Sequence, residues 1–177
     1  MSNLILIGPM GAGKTTNGKW LARQLGKTFI DMDAYIERKT GTGITHIFEL
    51  EGEAGFRQRE AAALAEILAD DNQVIATGGG SILLDANREL MKRRGLMLYM
   101  HIPPEVQLQR LLNDRKRPLL QAEDRAERLQ QLAAVRNPIY ESCADIKVDI
   151  SRMPMSRIRP YLLEALLNHG MSNNHHA

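Results

Sequence analysis

The sequence has almost no cysteine and no long apolar run, and each absence excludes a class of protein. Because Cys143 is its single cysteine, the chain cannot form an internal disulfide, which is typical of proteins from a reducing compartment. The apolar run near the N-terminus, residues 4–7, is too short for a signal peptide or a membrane span. We therefore expect a cytoplasmic protein that does not enter a membrane.

An excess of charge of one sign is also missing. Lysine and arginine number 23 against 21 aspartates and glutamates, and the five histidines lack the spacing of a metal site. We expect no nucleic-acid partner and no membrane partner, so the partners should be small molecules. The 177 residues, of which 44% are hydrophobic, suit one domain. We assign residues 1–170 to that domain and 171–177 to a polar tail, and we expect a monomer.

What the sequence does contain is a complete phosphate-binding loop at residues 8–15, Gly-Pro-Met-Gly-Ala-Gly-Lys-Thr. An apolar run precedes the loop and a helix is predicted from Lys14, so backbone N–H groups and the helix dipole converge on one anion site. Lys14 should reach the β- and γ-phosphates of a nucleotide, and the Thr15 hydroxyl is suited to ligate a Mg²⁺ that bridges them. The loop therefore predicts a nucleotide site with Mg²⁺ as cofactor.

Two acidic residues follow the second apolar strand, residues 28–30, in the sequence Asp31-Met32-Asp33. Period-2 spacing sends both carboxylates out of the strand end in the same direction, and ligands of open parallel sheets bind beyond such ends. Asp31 and Asp33 should therefore face the phosphate loop, although Asp33 could instead only cap the next helix. Because the third strand, residues 73–77, ends without an acid, we expect Asp31 to support the Mg²⁺.

Three further stretches have both a functional and a structural interpretation. Gly78-Gly79-Gly80 admits close approach of a ligand to the backbone, or is a plain loop. Glu60 could hold the Arg57 guanidinium from three residues away on a helix, but such a pair alone is more often a solvated surface ion pair. The basic run at residues 114–120 is either a solvated loop or a lid that brings an arginine over the transferring phosphoryl group.

The apolar pattern predicts five strands alternating with helices, and hence an α/β fold with a parallel sheet. The same pattern predicts that one helix begins at residue 83. It also predicts a helix over residues 44–68 that is interrupted at Gly52 and Gly55. It also ends a later helix near Pro138, because proline restricts continuation. His101, at the end of the fourth strand, is interpreted as a residue without chemistry.

The ordered motifs of the sequence resemble those of the shikimate kinase family over nearly the whole chain, from residue 4 to 160. They are the phosphate loop, Asp31-x-Asp33, Gly43-Ile44-x-x-Ile47-Phe48, Gly55-Phe56-Arg57-x-x-Glu60, Gly78-Gly79-Gly80, Arg117-Pro118-Leu119-Leu120 and Arg136-x-x-x-Tyr140. The resemblance implies a three-layer P-loop kinase fold, with a five-stranded parallel sheet in the order 2-3-1-4-5 flanked by helices. It also implies ATP-dependent phosphorylation of the shikimate 3-hydroxyl, a step toward aromatic amino acids.

The resemblance further implies the roles of individual residues. The implied catalytic residues are Lys14, Asp33 and Arg117, and the implied metal residues are Thr15 and Asp31. The implied ATP contacts are Gly11, Ala12, Gly13, Lys14, Thr15, Thr16, Arg110, Arg117 and Arg152. The implied substrate contacts are Asp33, Arg57, Gly78, Gly79, Gly80 and Arg136. A helical segment at about residues 33–61 would bind the substrate, and a lid at about residues 112–124 would carry Arg117.

Two other classes of protein share the phosphate loop. One is another small P-loop kinase, such as a gluconate or nucleoside-monophosphate kinase, and the other is a P-loop switch that is not an enzyme. The paired aspartates and the two arginines outside the loop favour an acceptor with hydroxyls and a carboxylate, because arginine grips carboxylates through two bonds. A guanine-nucleotide switch should carry an Asn-Lys-x-Asp motif, which does not occur in this sequence.

Overall fold

The computed structural model describes residues 2–111 and 124–171. The strands in these ranges are Asn3–Ile7 (β1), Thr28–Asp31 (β2), Gln73–Ala76 (β3), Gly95–His101 (β4) and Ile146–Asp149 (β5). The helices are Lys14–Leu25 (α1), Met32–Thr40 (α2), Ile44–Ile67 (α3), Asp85–Arg94 (α4), Pro104–Leu111 (α5), Arg125–Cys143 (α6) and Met155–Asn168 (α7). None of these described helices is long and apolar enough to cross a bilayer. The predicted lid lies outside the described residues except for Asp124, and so does the tail except for Met171.

All five strands run parallel in the order β2-β3-β1-β4-β5, which confirms the order implied by the resemblance. β1 is the central strand, and its Leu6 pairs with Ala76 of β3 and Leu98 of β4. Because crossover helices cover both faces of the sheet, the apolar run at residues 4–7 is fully buried. The phosphate loop therefore begins at the carboxyl end of the most protected strand.

Alternate residues of β1 point into two separate clusters of apolar side chains. On one face, Ile5 and Ile7 pack with side chains from α2, α3, α4 and α6. On the other face, Leu4 and Leu6 pack with side chains from α1 and α7. The predicted three-layer α/β fold is thus confirmed, and the helices that carry the predicted acceptor residues share one core with the central strand.

The predicted interruption of α3 at Gly52 is confirmed, whereas the interruption at Gly55 and the helix start at residue 83 are wrong. α3 runs through Gly55 without a break, and within it only Gly52, at φ 67° and ψ −174°, departs from helical geometry. α4 begins at Asp85, because a turn closed by the bond from Leu83 N to Gly80 O occupies the preceding residues. The kink divides α3 into two parts, of which the second carries predicted site residues.

The predicted helix end at Pro138 is also wrong. α6 continues through Pro138 to Cys143, and Ala144 N still donates to Tyr140 O at 3.0 Å. Proline removes only one donor from the helical ladder, and the burial of Tyr140 and Cys143 in the core favours the continued helix. Arg136 and Tyr140 therefore lie about one turn apart on the same helix.

Candidate active site

The phosphate-binding loop joins β1 to α1 at the predicted position. Gly13 has φ 84° at the N-terminus of α1, a conformation that favours glycine. The Lys14 side chain folds back over the loop, and its Nζ donates to Gly8 O at 2.7 Å and to Pro9 O at 3.0 Å. The ammonium group is therefore fixed beside the backbone N–H groups that form the predicted phosphate site.

Thr15 and Asp31 meet at the edge of this loop. Thr15 Oγ1 donates to Asp31 Oδ2 at 2.6 Å, and Asp31 Oδ1 accepts from Ala34 N at 3.1 Å. The second bond makes Asp31 the N-cap of α2, so the alternative in which Asp33 caps that helix is wrong. Asp33 instead lies in the first turn of α2, which means that strand periodicity does not set its direction. Both carboxylates nevertheless line one cleft together with the phosphate loop.

This cleft brings most of the predicted nucleotide and metal residues together. The predicted residues on its lining are Gly11, Gly13, Lys14, Thr15, Thr16, Asp31, Asp33, Gly78, Gly79 and Arg110. Arg110 is fixed there by a bond from its Nη1 to Gly11 O at 3.1 Å. Ala12 is fully buried, and Arg152 is exposed in the turn after β5 and is not among the residues that line this cleft. Arg117 lies outside the described residues.

Four charged side chains lie against the glycine triplet, residues 78–80, and three of them belong to predicted acceptor residues. A Cβ added at its third glycine, Gly80, would lie 2.2 Å from Nη2 of Arg57, so any side chain there would displace the guanidinium. At the second glycine the added Cβ would lie 3.5 Å from Nη1 of Arg136, and at the first 3.4 Å from Oδ1 of Asp33. Helices α2, α3 and α6 thus each bring one predicted acceptor residue to the same short loop.

The pair of Arg57 and Glu60 is buried, so its interpretation as a solvated surface ion pair is wrong. Arg57 Nη1 donates to Glu60 Oε2 at 2.6 Å, and the Glu60 side chain is only 1% exposed. The other carboxylate oxygen, Oε1, accepts from Ser81 Oγ at 2.7 Å. On the solvent side, Glu53 lies 3.3 Å from Arg57 Nη2. Arg57 is therefore held by two carboxylates of its own helix.

An aromatic network that contacts the backbone of the triplet could not be predicted from the sequence. Tyr140 donates its hydroxyl to Gly79 O, and its ring stacks on Tyr99 with 4.9 Å between the centroids. Tyr99 donates to Asn137 Oδ1 at 3.2 Å and lies 2.9 Å from His101 Nδ1, which brings that histidine into the network. Burial raises the pKa of both tyrosines, so their hydroxyls remain protonated donors at neutral pH. The only sequence signal was the four-residue spacing within the R-x-x-x-Y motif.

The sheet order, the phosphate loop and the threonine–carboxylate pair define the class of this protein as a P-loop kinase. A family model described as shikimate kinase matches residues 10–167. The chain belongs to the shikimate kinase family.

Individual relatives agree with this membership along most of the chain. A shikimate kinase of Halorhodospira halophila is 48% identical over 165 residues, which cover 93% of each chain. A shikimate kinase of Actinobacillus pleuropneumoniae is 45% identical over 166 residues, covering 94% of this chain and 96% of that one. Among solved structures, shikimate kinase from Acinetobacter baumannii in complex with shikimate has a TM-score of 0.90 and 43% identity. That alignment covers 97% of this chain and 96% of the other.

Proposed function

We propose that the protein is a shikimate kinase, which transfers the γ-phosphate of ATP to the 3-hydroxyl of shikimate and yields shikimate 3-phosphate and ADP. The reaction belongs to the shikimate and chorismate route to aromatic amino acids. The observation that carries the proposal is the convergence of Asp33, Arg57 and Arg136 on the glycine triplet, next to the cleft of the phosphate loop. Membership of the shikimate kinase family supports the same acceptor.

The two arginines suit the carboxylate of such an acceptor. A guanidinium binds a carboxylate through parallel N–H bonds, and such charge-assisted bonds are roughly twice as strong as neutral ones. Arg57 also retains an unused donor, since its buried Nε has no hydrogen-bond partner among the described residues. Because an unpaired buried donor is costly, a bound carboxylate that accepts from this group would gain the corresponding energy.

Asp33 and Lys14 are the residues proposed to act at the reacting atoms. Asp33 would orient and accept a proton from the attacking hydroxyl. In a loose phosphoryl-transfer transition state the nucleophile gains little negative charge, so the position of this carboxylate matters more than its basicity. The ammonium of Lys14 would offset negative charge that develops on the β–γ bridge and the γ-oxygens.

Thr15 and Asp31 are the residues that would hold Mg²⁺. A hydroxyl and a carboxylate are the hard oxygen ligands that this ion prefers, and their 2.6 Å contact keeps them together at the cleft. When bound, the ion neutralises charge on the β- and γ-phosphates. Asp31 is also the N-cap of α2, so its carboxylate is oriented by the fold before any metal binds.

The remaining assignments rest on the family resemblance. Arg110, which lines the cleft, and Arg152 are proposed contacts of ATP. Arg117 is proposed to approach the transferring phosphoryl group from the lid, and the helical segment of about residues 33–61 is proposed to bind the acceptor. We also propose a cytoplasmic monomer whose single domain spans residues 1–170. Light scattering after size exclusion tests the monomer directly.

A coupled assay of ADP release tests the proposed reaction, with shikimate, gluconate and AMP offered as acceptors at equal concentration. Because unpaired polar groups in a site strongly reject the wrong ligand, we expect the rate with shikimate to exceed the others by at least about a hundredfold. The product should be a 3-phosphate by NMR spectroscopy. Comparable rates with gluconate or AMP would reject the proposed acceptor, and equal ADP release without any acceptor would reject a kinase.

A further inference from the structure

Ser81 has a buried hydroxyl to which the proposed reaction gives no role. It directly follows the glycine triplet, is fully buried, and donates from Oγ to Glu60 Oε1 at 2.7 Å. We propose that Ser81 is a positioning residue for the acceptor carboxylate, because it fixes Glu60 and through Glu60 fixes the guanidinium of Arg57. The inference rests on the proposed function, since it concerns how that function binds its acceptor.

The first step of the argument is the orientation of the Glu60 carboxylate. The last torsion of a glutamate side chain is broad, so a single bond to one oxygen does not fix the plane of the carboxylate. In this site one oxygen accepts from Arg57 at 2.6 Å and the other accepts from Ser81 at 2.7 Å. Rotation of the fully buried carboxylate would break both bonds without access to water. The serine therefore sets the direction from which Glu60 meets the guanidinium.

The second step is that Ser81 is itself held on two sides. Its N–H donates to Gly78 O at 3.2 Å, which closes the turn of the triplet. Its carbonyl accepts from Asn87 Nδ2, in α4, at 3.0 Å. A serine hydroxyl has one proton to donate, and here that proton goes to the carboxylate. Ser81 therefore links α4, through the bond from Asn87, to the Glu60 carboxylate on the acceptor side of the cleft.

The third step is the narrow space in which Arg57 lies. Its side chain is 15% exposed, and its guanidinium lies so close to Gly80 that an added Cβ would be 2.2 Å from Nη2. Its Nε is buried and has no hydrogen-bond partner among the described residues. A small tilt of the guanidinium would therefore change both its contact with Gly80 and the direction in which the Nε–H group of Arg57 points. Binding of a planar carboxylate depends on this direction, because two parallel N–H bonds from one guanidinium tolerate little misalignment with the two carboxylate oxygens.

The variant Ser81→Ala tests the proposal in the intact enzyme. Loss of the donor to Glu60 should raise the KM for shikimate about tenfold, while kcat and the KM for ATP change less than about twofold. Ser81→Thr keeps the hydroxyl and should return the KM for shikimate toward the wild-type value. The matched control is Gln73→Met, which removes a buried bond to Ile67 O at the opposite end of the sheet and should leave the KM for shikimate unchanged.

A double-mutant cycle separates this role from a general loss of packing. In an Arg57→Ala background, adding Ser81→Ala should raise the KM for shikimate no further, because the group that the serine positions is gone. An equal increase in both backgrounds, or an unchanged KM in the single variant, would overturn the inference. Should Ser81→Ala fail to fold, Ser81→Gly also removes the donor to Glu60, and a wild-type KM for shikimate in that variant would also overturn the inference. Failure of the wild-type enzyme to phosphorylate shikimate would instead refute the proposed function.

Discussion

The nucleotide side and the acceptor side of the cleft are built in different ways. The centre of the nucleotide side is the phosphate loop, one continuous stretch of residues 8–15, whose predicted ligand groups are mostly backbone N–H groups between a strand and a helix. The acceptor side consists of side chains from α2, α3 and α6 that meet at the glycine triplet. Backbone groups keep their position when a neighbouring side chain changes, whereas the acceptor side chains depend on further contacts such as that between Arg57 and Glu60. Substitutions that touch no ligand should therefore affect acceptor binding more than nucleotide binding.

The largest effect is expected on the nucleotide side, at the ammonium group of Lys14. Lys14→Met should lower kcat about a thousandfold, because the uncharged methionine cannot offset the negative charge that develops on the β–γ bridge and the γ-oxygens. Shikimate affinity, measured by isothermal titration, should change little. Retention of more than about a tenth of wild-type kcat by the folded variant would contradict the proposed electrostatic role.

Substitutions of the two aspartates test whether Asp31 belongs to the nucleotide side, with Mg²⁺, and Asp33 to the acceptor side. Asp33→Asn should lower kcat about a hundredfold without changing the Mg²⁺ concentration for half-maximal rate, because the amide keeps its size but loses the charge that orients the hydroxyl. Asp31→Asn should raise that Mg²⁺ requirement, since it removes a hard oxygen ligand beside Thr15. The reverse pattern would exchange the two roles, and an almost fully active Asp33→Asn would leave Asp33 without a role in catalysis.

The same contrast explains how much could be predicted from the sequence. The phosphate loop and the start of α1 at Lys14 are local features, and the structure has them where the sequence predicted them. The position of Asp31 and Asp33 at the carboxyl end of the sheet, facing the phosphate loop, was also predicted correctly, but for a wrong reason. β2 ends at Asp31, and helical geometry then directs Asp33 into the cleft.

Non-local contacts could not be predicted in this way. Helical spacing alone could not show that Glu60 is buried, because its burial depends on Ser81 and on how α3 packs over the sheet. The prediction that a helix ends at Pro138 was wrong because Tyr140 and Cys143 make apolar contacts that favour a longer helix. The partners in these contacts are distant in sequence. The order of the strands came from the family resemblance, since periodicity identifies strands but not their neighbours.

A smaller effect, confined to the acceptor side, is expected for its two arginines. Replacing Arg57 or Arg136 with alanine should weaken shikimate binding by about 2–3 kcal/mol, the usual effect of removing one partner from a charged hydrogen-bonded pair. ADP affinity should stay nearly unchanged in the same titrations. Lysine at either position should restore only part of the affinity, because a point charge lacks the planar fork. An equal loss of ADP affinity would show that the two sides are not separate.

The smallest effect is expected at Tyr140, which supports the acceptor side without facing the cleft. Tyr140→Phe removes the bond to Gly79 O and should lower the free energy of unfolding at pH 7 by about 1 kcal/mol, with little change in kcat. Burial raises the pKa of this phenol in the folded protein, so the unfolded chain releases the proton first as the pH rises. The tyrosine's contribution is therefore complete well below pH 10 and falls as the pH rises above it.

Urea unfolding of wild-type and Tyr140→Phe proteins at pH 7 and pH 10.5 measures this loss directly. The difference in unfolding free energy between the two proteins should be smaller at pH 10.5 than at pH 7, because only the wild-type protein loses the tyrosine's contribution. Tyr161→Phe, which removes a partly exposed phenol from α7, is the matched control. A difference that is equal at both pH values would mean that folding does not shift the Tyr140 titration. The burial of the Tyr140 hydroxyl against Gly79 would then not disfavour its ionisation in the folded protein.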